Sequence, residues 1–192
     1  MNPDPPNQVL PEYLELSLKH LEAELARIDI FFHREVRRWQ LAGQDPGDVF
    51  RGQYITDTDA NALVKRPFGR SWGQTIELTD DDNQTYSEAL ERIDQYLEEI
   101  HTKSKELGYP LNLDRLVETF NLDSFERDTL LICLGPTLDL RYEKLCGYLQ
   151  DDVTRKRPAI NLVLDLLASS GASRLLKLAY FADDAPLFKH QI

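Results

Sequence analysis

The residues that could perform chemistry are scattered along this chain, and none of them forms a catalytic motif. A phosphate-binding loop of the form G-x-x-x-x-G-K-[ST] is absent, because no glycine in the sequence precedes a lysine. The histidines show no H-E-x-x-H or other metal-ligand spacing, and as single residues on long helices they are predicted to be solvated; they are His20, His33, His101 and His190. We therefore predict no catalytic, cofactor-binding or metal-binding residue, and no enzymatic activity of the chain itself.

Acidic residues dominate the charge of the chain. It has 33 Asp and Glu against 22 Lys and Arg, a net charge of -11, and runs such as Asp80–Asp82 read as helix caps and solvated turns. Such a surface repels nucleic acid and anionic membrane. No apolar run approaches the ~18 residues of a membrane span, and the N-terminus has no signal-peptide pattern, so a cytoplasmic location is expected. Cys133 and Cys146 lie in apolar helical context and are predicted to be reduced and buried.

Five residues are candidates for binding a partner. Phe68 and Trp72 lie on an irregular loop, Arg66–Gly73. Their side chains either contact a partner protein or pack against the two long helices and so fix the loop. Arg155, Lys156 and Arg157 form the only basic triplet of the sequence. The triplet either meets a phosphate, an acidic partner or nucleic acid, or belongs to a solvated loop that the preceding acids, Asp151 and Asp152, partly neutralise.

Two long amphipathic helices must position these residues. The first runs from Pro11 to about Gly43 and the second from about Gln84 to Leu107, and each carries apolar residues at alternating spacings of three and four. The stripe of the first helix is Leu14, Leu18, Leu21, Leu25, Ile28, Phe32 and Trp39; that of the second is Tyr86, Leu90, Ile93, Leu97, Ile100 and Leu107. Neither helix can bury such a stripe alone, so the two are predicted to pack together, with an antiparallel arrangement favoured.

Shorter helices are predicted for the rest of the chain, which makes the fold class all-α: two long heptad-patterned helices packed together, plus a bundle of shorter helices. Their predicted bounds are Leu113–Phe120, Asp123–Leu134 with a capping box of Asp123 and Glu126, Leu140–Gln150, Pro158–Ser169 and Ala172–Phe181. A short helix is also predicted near Thr56–Val64. We divide the chain into a disordered tail (1–11), a long helical hairpin with an irregular 43–83 connection (12–108) and a small helical subdomain (109–192).

Leu113 to Asp128 has the shape of a helix-turn-helix, with an apolar first helix, a tight turn and an amphipathic second helix. Were the second helix to read DNA, two acids of its first turn, Glu126 and Asp128, would face phosphate oxygens, which costs energy. A packing unit is therefore favoured over DNA recognition for this motif.

Several segments, in order over roughly residues 14–188, resemble the N-terminal region of a family of AAA+ ATPases found with phage-tail-like contractile injection systems. They are Arg34–Gln40, Phe50–Ile55, Arg66–Gly69, Phe120–Asp128, Tyr148–Pro158 and Asn161–Leu167. The resemblance implies a mostly helical N-terminal region, followed in that family by a Walker A/Walker B core that assembles as a hexameric ring. ATP and Mg²⁺ are implied only for such a downstream core, since no residue here matches its motifs.

These observations lead to three hypotheses. The first is a non-catalytic N-terminal domain that recruits a protein partner, or organises the ring, for an AAA+ ATPase engaged in remodelling or assembly. The second is a helix-turn-helix DNA-binding regulator, which salt-dependent DNA binding would favour. The third is a coiled-coil scaffold, which self-association through the long helices would favour. The partner's identity, and the oligomeric state of the chain, do not follow from the sequence.

Overall fold

The computed structural model describes residues 11–42, 57–65, 76–168 and 171–192. Within these ranges the chain forms helices and no strand, so the predicted all-α class is confirmed. None of the described helices combines the length and the apolar character needed to cross a membrane.

Two long helices, α1 (Glu12–Leu41) and α3 (Asp80–Leu107), form the largest element pair of the fold. They are antiparallel, as favoured from the sequence: Arg37 Nε lies 3.0 Å from Asp82 Oδ1 at one end, and Lys103 Nζ lies 3.6 Å from Glu12 Oε1 at the other. The shared core of this pair contains Leu16, Ala23, Leu97, Ile100 and Leu111.

Capping sets the bounds of α3. The helix begins at Asp80 and not at the predicted Gln84, because the hydroxyl of Thr79 accepts a hydrogen bond from the backbone N–H of Asp82. Three aspartates in its first turn suit the positive end of the helix dipole. The last residue of the helix is Leu107. Gly108 follows as the C-cap, and its φ of 69° is a left-handed conformation that glycine adopts at no steric cost.

The remaining elements are shorter. They are α2 (Asp57–Lys65), α4 (Asn112–Phe120), α5 (Ser124–Leu138), α6 (Leu140–Leu149), α7 (Ile160–Leu167), α8 (Gly171–Lys177), a 3₁₀ turn (Leu178–Phe181) and α9 (Pro186–Lys189). The capping box predicted at the start of α5 is confirmed, with Glu126 N–H bonded to Asp123 and Asp123 N–H bonded to Glu126. α7 begins later than predicted: Pro158 precedes the helix, and Ala159 is its extended N-cap residue.

The main core lies between α1, α5, α6 and α7. Its buried members are Ile28, Phe32, Trp39, Phe125, Leu131, Ile132, Tyr142, Cys146, Leu149, Leu162, Val163, Leu164 and Leu166. α1 therefore has two buried faces, one against α3 and one against the shorter helices, which explains why residues outside its predicted stripe, such as Ala23 and Ile30, are buried. The division into a hairpin (12–108) and a subdomain (109–192) stays a prediction, since α1 contacts elements of both ranges.

The two cysteines differ in their surroundings. Both are free thiols, and Cys146 is buried in the main core as predicted. The prediction that Cys133 is buried is wrong, because Cys133 of α5 is exposed. Apolar sequence neighbours do not specify which face of a helix a residue occupies.

Candidate functional site

α4 and α5 form the helix-turn-helix that the sequence suggests. The turn consists of Asn121 in a left-handed conformation (φ 50°), the buried Leu122, and Asp123, the N-cap of α5. Asparagine tolerates this conformation better than most residues. Leu122 N–H donates to the carbonyl of Val117 at 2.9 Å, which closes the end of α4.

α5 is a core helix, and most polar groups of its first two turns are bonded within the chain. Glu126 is 3% exposed and held in the capping box. Asp128 pairs with Arg27 of α1, and Arg127 Nη1 lies 3.1 Å from Glu24 Oε1, also on α1. These side chains bind α5 to α1, so they are not arranged to reach the edges of bases.

The chain that follows α7 also contacts the N-terminus of α5. Tyr180 donates its hydroxyl proton to Asp123 Oδ2 at 2.5 Å, and this hydrogen bond raises the pKa of Tyr180. Lys177 Nζ lies 4.0 Å from the centroid of the Phe125 ring. A recognition helix contacts bases through its N-terminal residues, and here α8 and the 3₁₀ turn lie against that end.

The loop with the basic triplet, residues 151–159, is tightly anchored to α6. Gln150 Nε2 donates to the carbonyl oxygens of Arg155 and Arg157 at 3.1 and 2.9 Å, and Gln150 Oε1 accepts from Ala159 N–H at 3.0 Å. Asp152 accepts from both the hydroxyl and the N–H of Thr154, and these bonds, together with Arg155, lower the pKa of Asp152. One side chain therefore fixes both the path of the loop and the start of α7.

The three basic side chains of this loop project into solvent from the fixed backbone. Arg155 Nε lies 3.2 Å from Asp152, and Lys156 Nζ lies 3.4 Å from Glu143, with the Arg155 and Lys156 side chains more than half exposed. Arg157 Nη1 donates to Thr137 Oγ1 at 3.4 Å, at the C-terminal end of α5. Partial neutralisation, expected from the sequence, is thus supplied by Asp152 and Glu143.

Exposed apolar side chains lie in this loop and at the junction of α5 and α6, next to which Arg157 bonds Thr137. Leu138 is 51% exposed, Leu140 69% and Val153 72%. Leu138 follows the Arg157 partner Thr137, and the backbone of Val153 lies against Gly147 of α6. We call these six residues the basic–apolar surface: Leu138, Leu140, Val153, Arg155, Lys156 and Arg157. The other two candidate partner-binding residues, Phe68 and Trp72, lie outside the described residues.

The structure also brings together a group that sequence reasoning missed. His20 of α1, His101 of α3 and Asp114 of α4 present nitrogen and carboxylate oxygen atoms within 4.8 Å of one another. The prediction that histidines on the long helices are solvated is wrong for His20, which is 1% exposed. Motif spacing could not reveal this group, since its members lie on three helices. The available signal was the antiparallel pairing, which places His20 and His101 beside the facing apolar stripes.

Comparisons with known proteins provide a family. A family model described as winged helix domain, variant, matches residues 3–192. No curated protein and no solved structure matches the chain. The described residues contain the α4–turn–α5 helix-turn-helix and no strand. The chain belongs to the winged helix domain, variant, family.

Proposed function

We propose that this winged helix domain is a non-catalytic module that binds a protein partner, and not DNA, on behalf of an AAA+ ATPase. The observation that carries the proposal is how the start of α5 is held: its first turns are bonded to α1, and α8 and the 3₁₀ turn lie against its N-terminus. A helix held in this way keeps the helix-turn-helix shape, but Arg127 and Asp128, which could have contacted bases, are already paired within the chain.

Charge supports the same proposal. A chain of net charge -11 gains no general attraction from phosphates, which supply most of the affinity of non-specific DNA binding. On the basic–apolar surface, cations stand beside large apolar side chains. This combination suits a protein segment that carries both carboxylates and apolar residues.

The connection to an AAA+ ATPase is supported by the ordered sequence resemblance described above. Reading the gene beyond codon 192 tests it directly. We expect a G-x-x-x-x-G-K-[ST] motif downstream in the same frame or, failing that, in an adjacent gene. A gene neighbourhood without any such motif would contradict the ATPase part of the proposal and leave the protein-binding part standing.

The alternative function is DNA binding, which the winged helix family membership is compatible with. Fluorescence anisotropy with a labelled duplex of mixed sequence, at ~150 mM salt, distinguishes DNA binding from the proposed protein binding. We expect no binding tighter than about 1 µM, since non-specific binding is typically weaker than that. Tighter binding that is sequence-selective and falls steeply with added salt would instead establish the regulator.

The protein-binding surface can be tested by cross-linking in cells. A photo-reactive amino acid placed at Lys156 should give a discrete protein adduct, whereas one placed at the exposed Arg92 of α3 should not. Substitution of Arg155 and Arg157 by Glu should reduce the adduct at position 156. Adducts of equal intensity at both positions would show that this surface is not the contact.

A further inference from the structure

The group formed by His20, His101 and Asp114 joins three helices at one end of the α1–α3 pair. His101 Nε2 lies 3.1 Å from Asp114 Oδ2, and His20 Nε2 lies 3.7 Å from Asp114 Oδ1. The two imidazole rings are 4.9 Å apart at their centroids and meet edge to face. Both Nε2 atoms therefore point at the same carboxylate.

The tautomer of His101 follows from its other nitrogen. Nδ1 lies 2.7 Å from the carbonyl oxygen of Leu97, and because a carbonyl only accepts, Nδ1 carries the proton. In the neutral ring, Nε2 then presents a lone pair to Asp114. A backbone carbonyl that fixes the far nitrogen of a histidine is the usual outer-shell arrangement of metal-binding histidines.

The burial of His20 is a second observation, independent of His101, that points to a ligand at this group. It is 1% exposed, and neither Nδ1 nor Nε2 has a hydrogen-bond partner within the described residues. Leaving such a buried polar group without a partner is unfavourable, because its desolvation is not compensated.

Among the residues that the structure describes, no acidic neighbour lies within hydrogen-bond distance of His20 Nε2. Its distances to Asp114 and Glu24 are 3.7 and 3.9 Å. A divalent cation between the three side chains would satisfy both Nε2 lone pairs and the carboxylate together.

We propose that His20 Nε2, His101 Nε2 and the Asp114 carboxylate bind a divalent transition-metal ion of the zinc class, which joins α1, α3 and α4. Two imidazoles with one carboxylate suit zinc and its neighbours, whereas Mg²⁺ and Ca²⁺ prefer oxygen ligands alone. Zinc bonds of about 2.0–2.1 Å in tetrahedral geometry place ligand atoms ~3.4 Å apart. His101 Nε2 lies 3.1 Å from Oδ2 of Asp114 and His20 Nε2 lies 3.7 Å from Oδ1, and the ligand atoms of the three residues lie within 4.8 Å of one another.

Glu24 is not the fourth ligand. Its Oε1 lies 3.1 Å from Arg127 Nη1, and its Oε2 lies 2.9 Å from Arg27 Nε. The two arginines hold this carboxylate, so the fourth position is left to water. An ion held by these three ligands and water would fasten the short helix α4 to the long pair.

The test uses the full chain without a histidine tag, stripped with chelator and titrated with zinc chloride by calorimetry. We expect saturation at one ion per chain and a rise in the melting temperature. His101→Ala and Asp114→Asn should each weaken binding at least ~10-fold, the lower end of the effect of losing an outer-shell partner. Both side chains are partly exposed, which favours folding of these variants.

Two controls identify the ligands. His33→Ala removes an exposed histidine of α1, the helix that carries His20, and should leave the zinc affinity unchanged. Cys133→Ser should also leave it unchanged. Cobalt(II) bound to the chain should show nitrogen and oxygen ligation, with no thiolate charge-transfer band. Absence of saturable zinc binding, or wild-type affinity in both His101→Ala and Asp114→Asn, would overturn the proposal.

Discussion

Arg27 lies between two carboxylates that come from different helices. It donates from Nη1 to Asp128 Oδ2 at 3.0 Å on α5, and from Nε to Glu24 Oε2 at 2.9 Å on its own helix. Burial opposes the charge of Arg27, but the bonds and charges of Asp128 and Glu24 outweigh it, and its pKa is raised. The position of α5 on α1 depends on this cluster.

Asp128→Ala should therefore destabilise the fold strongly. Removing one partner of a buried pair leaves the other charge uncompensated, which costs about 3–5 kcal/mol, and since Glu24 still holds Arg27 we expect the lower end of that range. Urea unfolding followed by circular dichroism measures it. Glu15→Ala, which breaks the exposed pair with Lys19, should leave the midpoint nearly unchanged. Equal midpoints for the two variants would contradict the role of Arg27.

Tyr142 should make stability depend on pH in the alkaline range. It is 2% exposed and donates to Asp29 Oδ1 at 2.6 Å; burial and this bond raise its pKa from 10.0 to about 12. The raised pKa contributes about 2–3 kcal/mol to the free energy of unfolding. This contribution is present below pH 10 and is lost as the pH rises towards 12. Urea unfolding at pH 9 and pH 11.5 should show a smaller fall for Tyr142→Phe than for the wild type. The same fall in both proteins would assign the effect to other groups.

The two thiols should differ in reactivity. Desolvation raises the pKa of both thiols, that of Cys146 to about 11, but Cys133 is exposed to a reagent whereas Cys146 is buried. A thiol reagent added to the native chain should modify one cysteine quickly and the second only after unfolding. Cys133→Ser should remove the fast phase; a fast phase that persists in this variant would place Cys146 at the surface.

At the scale of elements, the α1–α3 pair should depend on its own core. Leu97 is 7% exposed and packs with Leu16 and Ile100, so Leu97→Ala should cost about 2–5 kcal/mol. Leu18 belongs to the predicted stripe of α1 but is 40% exposed, and Leu18→Ala should cost clearly less. Urea midpoints of the two variants decide the matter, and a larger loss for Leu18→Ala would mean that this face is covered by another subunit.

At the scale of the whole molecule, we expect that the chain does not bind nucleotide. The sequence has no phosphate-binding loop, and a backbone nest with its lysine is what grips the phosphates in such proteins. Calorimetric titration with Mg-ATP should give no saturable heat, while a longer protein containing a Walker A motif should give it. Micromolar binding by this chain alone would require a nucleotide site of another kind.

Local sequence patterns predicted most of the helices of this fold. Apolar spacing located both long helices, and the capping box of Asp123 and Glu126 marked the start of α5. Apolar spacing and capping depend on residues that are close together in the chain, so they can be recognised in the sequence. Three bounds were wrong: α3 begins at Asp80 and not at Gln84, α5 ends at Leu138 and not at Leu134, and α7 begins at Ile160 and not at Pro158. Two of the helix starts involve side-chain hydrogen bonds, from Thr79 and Gln150, that apolar spacing does not reveal.

The sequence by itself determined the helical class, the acidic charge, the absence of a phosphate-binding loop and the position of a helix-turn-helix. Only the tertiary structure decided which residues of different helices contact one another. It placed Arg27 against Asp128, 101 residues away, and His20 beside His101 and Asp114. It also paired Arg127 and Asp128, near the start of α5, with residues of α1. Contacts of this kind depend on the register and direction in which helices pack, and an apolar stripe restricts that register without fixing it.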